Sequence, residues 1–206
     1  MKRSDLLRCS AAIAGTLALM GAATAAFAEE THGEGIVEVG VEVAEISEPG
    51  TLALTVAGTS AVLTETGEGE LIREFTGTLP AVTVTDTRSP DEIPQGAYWY
   101  VLGSATDFVG ATGQAPIDAG HLGWTPAMID GGESGLVGEG DPVGTVLDPG
   151  PNNVGLVDQE LLAAAWDSGD VASDGQWTAT AELVLRTPAS VASGDYSSSL
   201  TLSLFE

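Results

Sequence analysis

Two histidines, His32 and His121, one cysteine, Cys9, and one lysine, Lys2, are all this chain offers to the commonest side-chain chemistries. Cys9 and Lys2 both fall within the first 28 residues. Beyond them, thiol catalysis has no nucleophile, and a phosphate-binding loop lacks the lysine that must follow its glycines. A Ser-His-Asp arrangement would have to use His32 or His121. His32 lies just beyond residue 28, where chains commonly fray. His121 stands between Gly120 and Leu122, and no serine occupies the strained G-x-S-x-G turn. Two distant histidines without ligand spacing do not make a zinc site. The 29 acidic residues beyond residue 28 guarantee some carboxylate pair within the roughly 5–10 Å that glycoside hydrolysis uses, so no pair stands out. The expectation is a protein that is not an enzyme, with no cofactor.

Calcium needs only carboxylates and carbonyls on loops. Asp167, Asp170 and Asp174 cluster in sequence, as do Glu133, Glu139 and Asp141, without the twelve-residue spacing of an EF-hand loop. Solvated acidic loops and a calcium site both remain open readings of them. The aromatic residues are scarcer and more informative. In Tyr98-Trp99-Tyr100 a strand would turn Trp99 to one face and both tyrosines to the other. Trp99 and Trp177, in regular strand pattern, are expected in the core. Trp124 and Trp166, close to turn residues, are expected at the surface. Tyr98, Tyr100, Trp124 and Trp166 are therefore the candidate ligand-binding residues. Exposed rings of this kind suit stacking on sugar rings.

The elements that must position these residues read as strands. Lys2, Arg3 and Arg8, an uncharged Ala/Leu/Gly stretch, and Ala26-Phe27-Ala28 make residues 1–28 a cleavable export signal. Cys9 precedes the apolar core and is not a lipidation site. Cleavage removes three cations and one anion from a net charge of −24, leaving −26 on residues 29–206 with Arg73, Arg88 and Arg186 as the only cations. Such a field disfavours nucleic acid and anionic lipid as partners. It also lacks a cysteine for any disulfide, so a core must hold it. Ile36–Val43 alternates apolar and polar residues, Glu48-Pro49-Gly50 marks a turn, and Leu52–Val56 alternates again, which predicts a hairpin. The same period recurs at Ala61–Glu65, Leu71–Phe75, Ala81–Thr87, Ala97–Leu102, Trp177–Leu185 and Tyr196–Leu204. Asp158–Trp166 is the one stretch with a helical reading. Between Thr106 and Asn153 the signal weakens, with a short strand expected at Gly144–Leu147 among loops that protrude. The fold class is all-β: one antiparallel, sandwich-like domain over 29–206 with long acidic loops.

Thr78-Leu79-Pro80-Ala81-Val82-Thr83-Val84-Thr85-Asp86-Thr87-Arg88, followed by Trp99-Tyr100-Val101-Leu102-Gly103-Ser104-Ala105-Thr106-Asp107-Phe108, resembles the proximal half of WxL-type domains. Gly194-Asp195-Tyr196-Ser197-Ser198-Ser199-Leu200-Thr201-Leu202-Ser203-Leu204 is similar to their distal motif. The resemblance covers most of residues 78–206. Neither motif is literal. Val101 stands second after Trp99, and Leu202 takes the distal tryptophan position, with Leu204 matching the leucine. The resemblance implies a divergent, actinobacterial-type member of a family of exported Gram-positive surface proteins. These attach to the cell wall non-covalently, through peptidoglycan.

The expected function is thus a secreted, wall-associated surface protein that is not inserted in the membrane once its signal is removed. An extracellular module that assembles with other exported surface proteins is the second expectation, and an acidic calcium-binding secreted protein the third.

Overall fold

The structure is a computed structural model that describes residues 48–69 and 71–206. The export-signal stretch, His32 and the strand expected at Ile36–Val43 lie outside the described residues. Leu52–Val56 (β1) is a strand as expected, and it pairs antiparallel with Val82–Asp86 (β4).

Thr64–Glu68 (β2), Ile72–Thr78 (β3), β1 and β4 build one sheet around the long strand Gln176–Pro188 (β10). β3 and β4 lie end to end along the same edge of β10, joined through Leu79-Pro80-Ala81. Leu79 N–H donates to the Ala181 carbonyl across the junction. In β10 the side chains of Trp177, Ala179, Ala181, Leu183, Leu185 and Thr187 are buried in strict alternation. That is the period-2 pattern the sequence carries, because one face of the sheet meets the core and the other meets water. On the outer face, the hydroxyls of Thr83 and Thr178 meet at 3.1 Å across paired strands.

The other edge of β10 carries Leu122–Asp130 (β7), a nine-residue strand in the stretch where the sequence signal weakens. Gly123 and Pro126 disguise it. Trp124 exchanges backbone hydrogen bonds with Val143 on the side away from β10. Pro126, two residues on, turns its donor-less nitrogen to that same side, so it costs no bond with β10.

A second sheet runs in the order Leu200–Phe205 (β12), Tyr100–Ala105 (β5), Glu160–Ala165 (β9) and Val137–Glu139 (β8). Here β9 corrects the helical expectation for Asp158–Trp166. Leu and Ala favour a helix locally, but β9 is flanked by β5 and β8, and the ladder bonds on both sides override that preference. The only α-helical turn nearby is Ser168–Val171 (α1), capped by Asp167, which accepts from Gly169 and Asp170 N–H at 2.8 and 3.1 Å. Val109–Gly110 (β6) and Tyr196–Ser197 (β11) form a small separate pair.

The chain passes from β7 to β8, so the two sheets join along one side, and β1 and β12 approach on the other. The result is a curled antiparallel sandwich, the expected fold class. Gly144–Leu147 is not a strand. It belongs to a loop built on Asp148, whose carboxylate accepts from Thr145 N–H and Oγ and also pairs with Arg186. Val143, Thr145 and Leu156 of this region are buried, while Glu133, Glu139 and Asp141 face solvent.

Candidate functional site

Trp99 alternates with its neighbours as the pattern demands. It is fully buried and packs on Trp177 with ring centroids 5.2 Å apart. Tyr98 and Tyr100 take the opposite, outer face of the second sheet, with centroids 5.8 Å apart. Phe205 stands directly across from Tyr100 on β12 and stacks on it at 5.4 Å. On the other flank Ala164 pairs with Tyr100, and Ala165 N–H donates to the Trp99 carbonyl. That register sets Trp166 opposite Tyr98. Beside Tyr100 the same row holds only Ala164 and Gly138, small enough to leave the rings standing clear.

The outer face of the second sheet thus carries an aromatic row from Trp166 through Tyr98 and Tyr100 to Phe205. Trp166 is 80 % exposed, Tyr98 55 % and Phe205 38 %. A large apolar ring left in water loses the free energy of its burial, so clustered exposed rings mark a contact surface. The row is uncharged, with Trp166 and Tyr98 its most exposed rings and Tyr100 and Phe205 stacked on each other. It brings together three of the four sequence candidates, Tyr98, Tyr100 and Trp166.

The fourth, Trp124, is a correction. It is 1 % exposed, not at the surface, because the strand that carries it lies between β10 and the Val143 bridge with its ring turned inward. Phe205 takes its place in the row. Sequence reasoning missed Phe205, although its parity relative to Leu202 and Leu204 was the available signal.

The motif positions Trp99 and Val101 are core residues. Leu202 and Leu204 face inward too and pack against the core. Leu202 lies beside Gly103, where a Cβ would come within 3.2 Å of its Cδ2 and within 2.5 Å of the Trp124 ring. The side chain at the distal motif position therefore fills space between the sheets.

His121 has its Nδ1 2.7 Å from the Arg186 carbonyl, which it serves as donor. Among the described residues, no three His, Cys, Asp or Glu side chains are grouped so as to hold a metal ion. Asp167 caps α1 and Asp174 accepts from Ser134 N–H. No described helix is long and apolar enough to cross a membrane.

The three arginines among the described residues are all engaged: Arg73 with Glu65, Arg88 with Asp86 and Glu206, and Arg186 with Glu74 and Asp148. The remaining carboxylates set the sign of the surface. No family model, curated protein or solved structure matches this chain.

Proposed function

We propose that this chain is a non-catalytic exported surface protein that binds the bacterial cell wall non-covalently, stacking its aromatic row on wall glycan, with peptidoglycan as the polymer. The observation that supports the reading most directly is the row Trp166, Tyr98, Tyr100 and Phe205 on one sheet face. Sugar rings have an apolar face of C–H bonds that covers an aromatic ring, and a rigid strand scaffold holds several rings ready with little ordering cost. The likeness of residues 78–206 to WxL-type domains points the same way.

Electrostatics refine the partner. The three described arginines are paired and the chain's net charge is −24, so a polyanionic wall polymer would be repelled and an uncharged glycan face would not. Co-sedimentation of the purified protein with isolated peptidoglycan sacculi tests the reading. Binding that persists at high salt is expected. Protein left in the supernatant at every salt concentration, with and without calcium, would sink it.

A second reading rests on β12. Among the described residues Leu200–Phe205 has a sheet partner, β5, on one side only, and it carries no charged residue. A neutral edge of this length is a template for strand addition. Assembly with another exported surface protein would then appear as a stable complex that forms without sacculi.

A further inference from the structure

Opposite the joined side of the sandwich, the two sheets stand apart around a cavity of about 910 Å³. Interiors are normally close-packed, and a void of this size falls within the roughly 300–1,000 Å³ of small-molecule sites. Trp124 reaches from β7 to Gly103 on the opposing sheet, and Leu202, which lines the cavity, lies beside the same glycine. Leu63 beside β2, Phe75 on β3, and Leu200 and Leu202 on β12 face inward, yet each is only half-buried, because the cavity lies where a covering side chain would be.

The chemistry of the lining is divided. The floor is aliphatic and aromatic, with Leu183 and Leu185 of β10 added to those four. The mouth carries hydroxyls from Thr59 and Ser60 on one side and from Ser193, Ser198 and Ser199 on the other. The one cation among the described lining residues, Arg73, is held bidentate by Glu65 at 2.6 and 2.8 Å and lies over the Phe75 ring at 5.2 Å. Asp195 adds a carboxylate at the rim.

We propose that this cavity binds a single-chain amphiphile, with an aliphatic tail on the leucine and phenylalanine floor and a neutral, hydroxyl-bearing head at the serine and threonine rim. A polyol is excluded from the floor, because its hydroxyls would be buried without partners. An anionic head is disfavoured by Asp195 and by the net negative charge. The site is separate from the aromatic row, and it stands or falls independently of wall binding.

The test uses the purified full chain and the neutral dye N-phenyl-1-naphthylamine, displaced by monoacylglycerols of 8, 10 and 12 carbons. Saturable one-to-one displacement is expected, each added pair of methylenes tightening it by roughly tenfold. Dodecanoate should compete more weakly than the 12-carbon monoacylglycerol. Ala61→Trp and Ala192→Trp place a large ring at opposite sides of the mouth from exposed positions, so folding is not at stake. Both should weaken binding at least tenfold, while Ala53→Trp, exposed on β1 away from the cavity, should not. Dye uptake that ignores chain length, or that survives both mouth substitutions unchanged, would overturn the proposal. So would an absence of uptake by the unsubstituted chain.

Discussion

Arg88 holds the carboxylate of Glu206, 118 positions further along the chain, with both terminal guanidinium nitrogens at 2.6 and 2.7 Å. The same guanidinium binds Asp86 through Nε and Nη2 at 2.9 and 2.7 Å. Asp86 ends β4 in the first sheet, and Glu206 follows β12 in the second. One planar cation therefore ties the sheets together at the side where no described strand joins them. Planarity matters, because a fork of donors can serve two carboxylates at once and a compact ammonium cannot.

Arg88→Ala should be the most damaging single change at a charged position in the described residues. It leaves the Asp86 carboxylate, 1 % exposed, without its partner. Breaking such a pair from one side costs about 3 kcal/mol. Urea unfolding should show the unfolding free energy falling by that amount, which lowers the midpoint by that loss divided by the m-value. Arg88→Lys should recover only part of it, and Glu206→Gln, which removes the more exposed partner, should cost about 1 kcal/mol. An Arg88→Ala protein as stable as the parent would show that the clamp contributes nothing.

The pH dependence follows from the same contacts. Glu206 is held below the ordinary carboxylate value of 4.5, first by its hydrogen bonds from Arg88. Glu65 is lowered first by its hydrogen bond from Arg73, and Glu92 first by the backbone N–H of Ser89. A carboxylate lowered on folding contributes stability that is complete above its unfolded value and is lost as pH falls through the folded one. Glu160 has the opposite sign, since burial raises it and the nearby Asp158 adds to the rise. Its charge is a cost that protonation relieves. The thermal midpoint should hold or rise from pH 7 to pH 5, as self-repulsion eases, and should fall below about pH 4.5. Arg88→Ala should flatten that acid limb. Calorimetry across the range reads both.

How far this fold is legible in the sequence depends on where each strand lies. Leu52–Val56, Val82–Asp86 and Gln176–Pro188 announce themselves, because each has one wet face and one dry face and so alternates. β9 has a register shift that leaves Leu162 as an extra residue, and small residues where the aromatic row passes, so its Leu-Leu-Ala-Ala-Ala run carries no period. β7 is interrupted by Gly123 and Pro126 for reasons that only its neighbours Val143 and β10 supply. The site follows the same logic. Parity along β5 separates Trp99 from Tyr98 and Tyr100, but the turn residues near Trp124 suggest exposure and hide the strand around it. Phe205 joins the row through register with Tyr100, a long-range pairing that local pattern does not contain.

Gly103 and Trp124 give that hidden strand a direct test. A Cβ at position 103 would lie 2.5 and 2.8 Å from two carbons of the indole ring. Gly103→Ala should therefore destabilise by about 1–3 kcal/mol through overpacking. Trp124→Phe alone should also destabilise, by removing buried volume. Combined, the two changes should cost less than their sum, since the smaller ring makes room for the new methyl group. A double-mutant cycle in urea measures the coupling, and strict additivity would mean that the ring and the strand do not meet.

The aromatic row separates binding from stability, because its rings are largely in water. Trp166→Ala removes a ring that is 80 % exposed, and its thermal midpoint should stay close to the parent's. Tyr98→Ala should behave alike. On sacculi each should weaken co-sedimentation about tenfold, the loss expected when a central aromatic anchor is truncated. Tyr100→Ala should do both kinds of harm, since Tyr100 is stacked on Phe205 and only half-exposed. Trp99→Ala gives the contrasting case: it opens a cavity beside Trp177, costs about 3–5 kcal/mol, and should impair binding only through unfolding. Sedimentation unchanged in Trp166→Ala and Tyr98→Ala, with both proteins folded, would move the wall contact off this face and leave the free edge of β12 as the surface to examine.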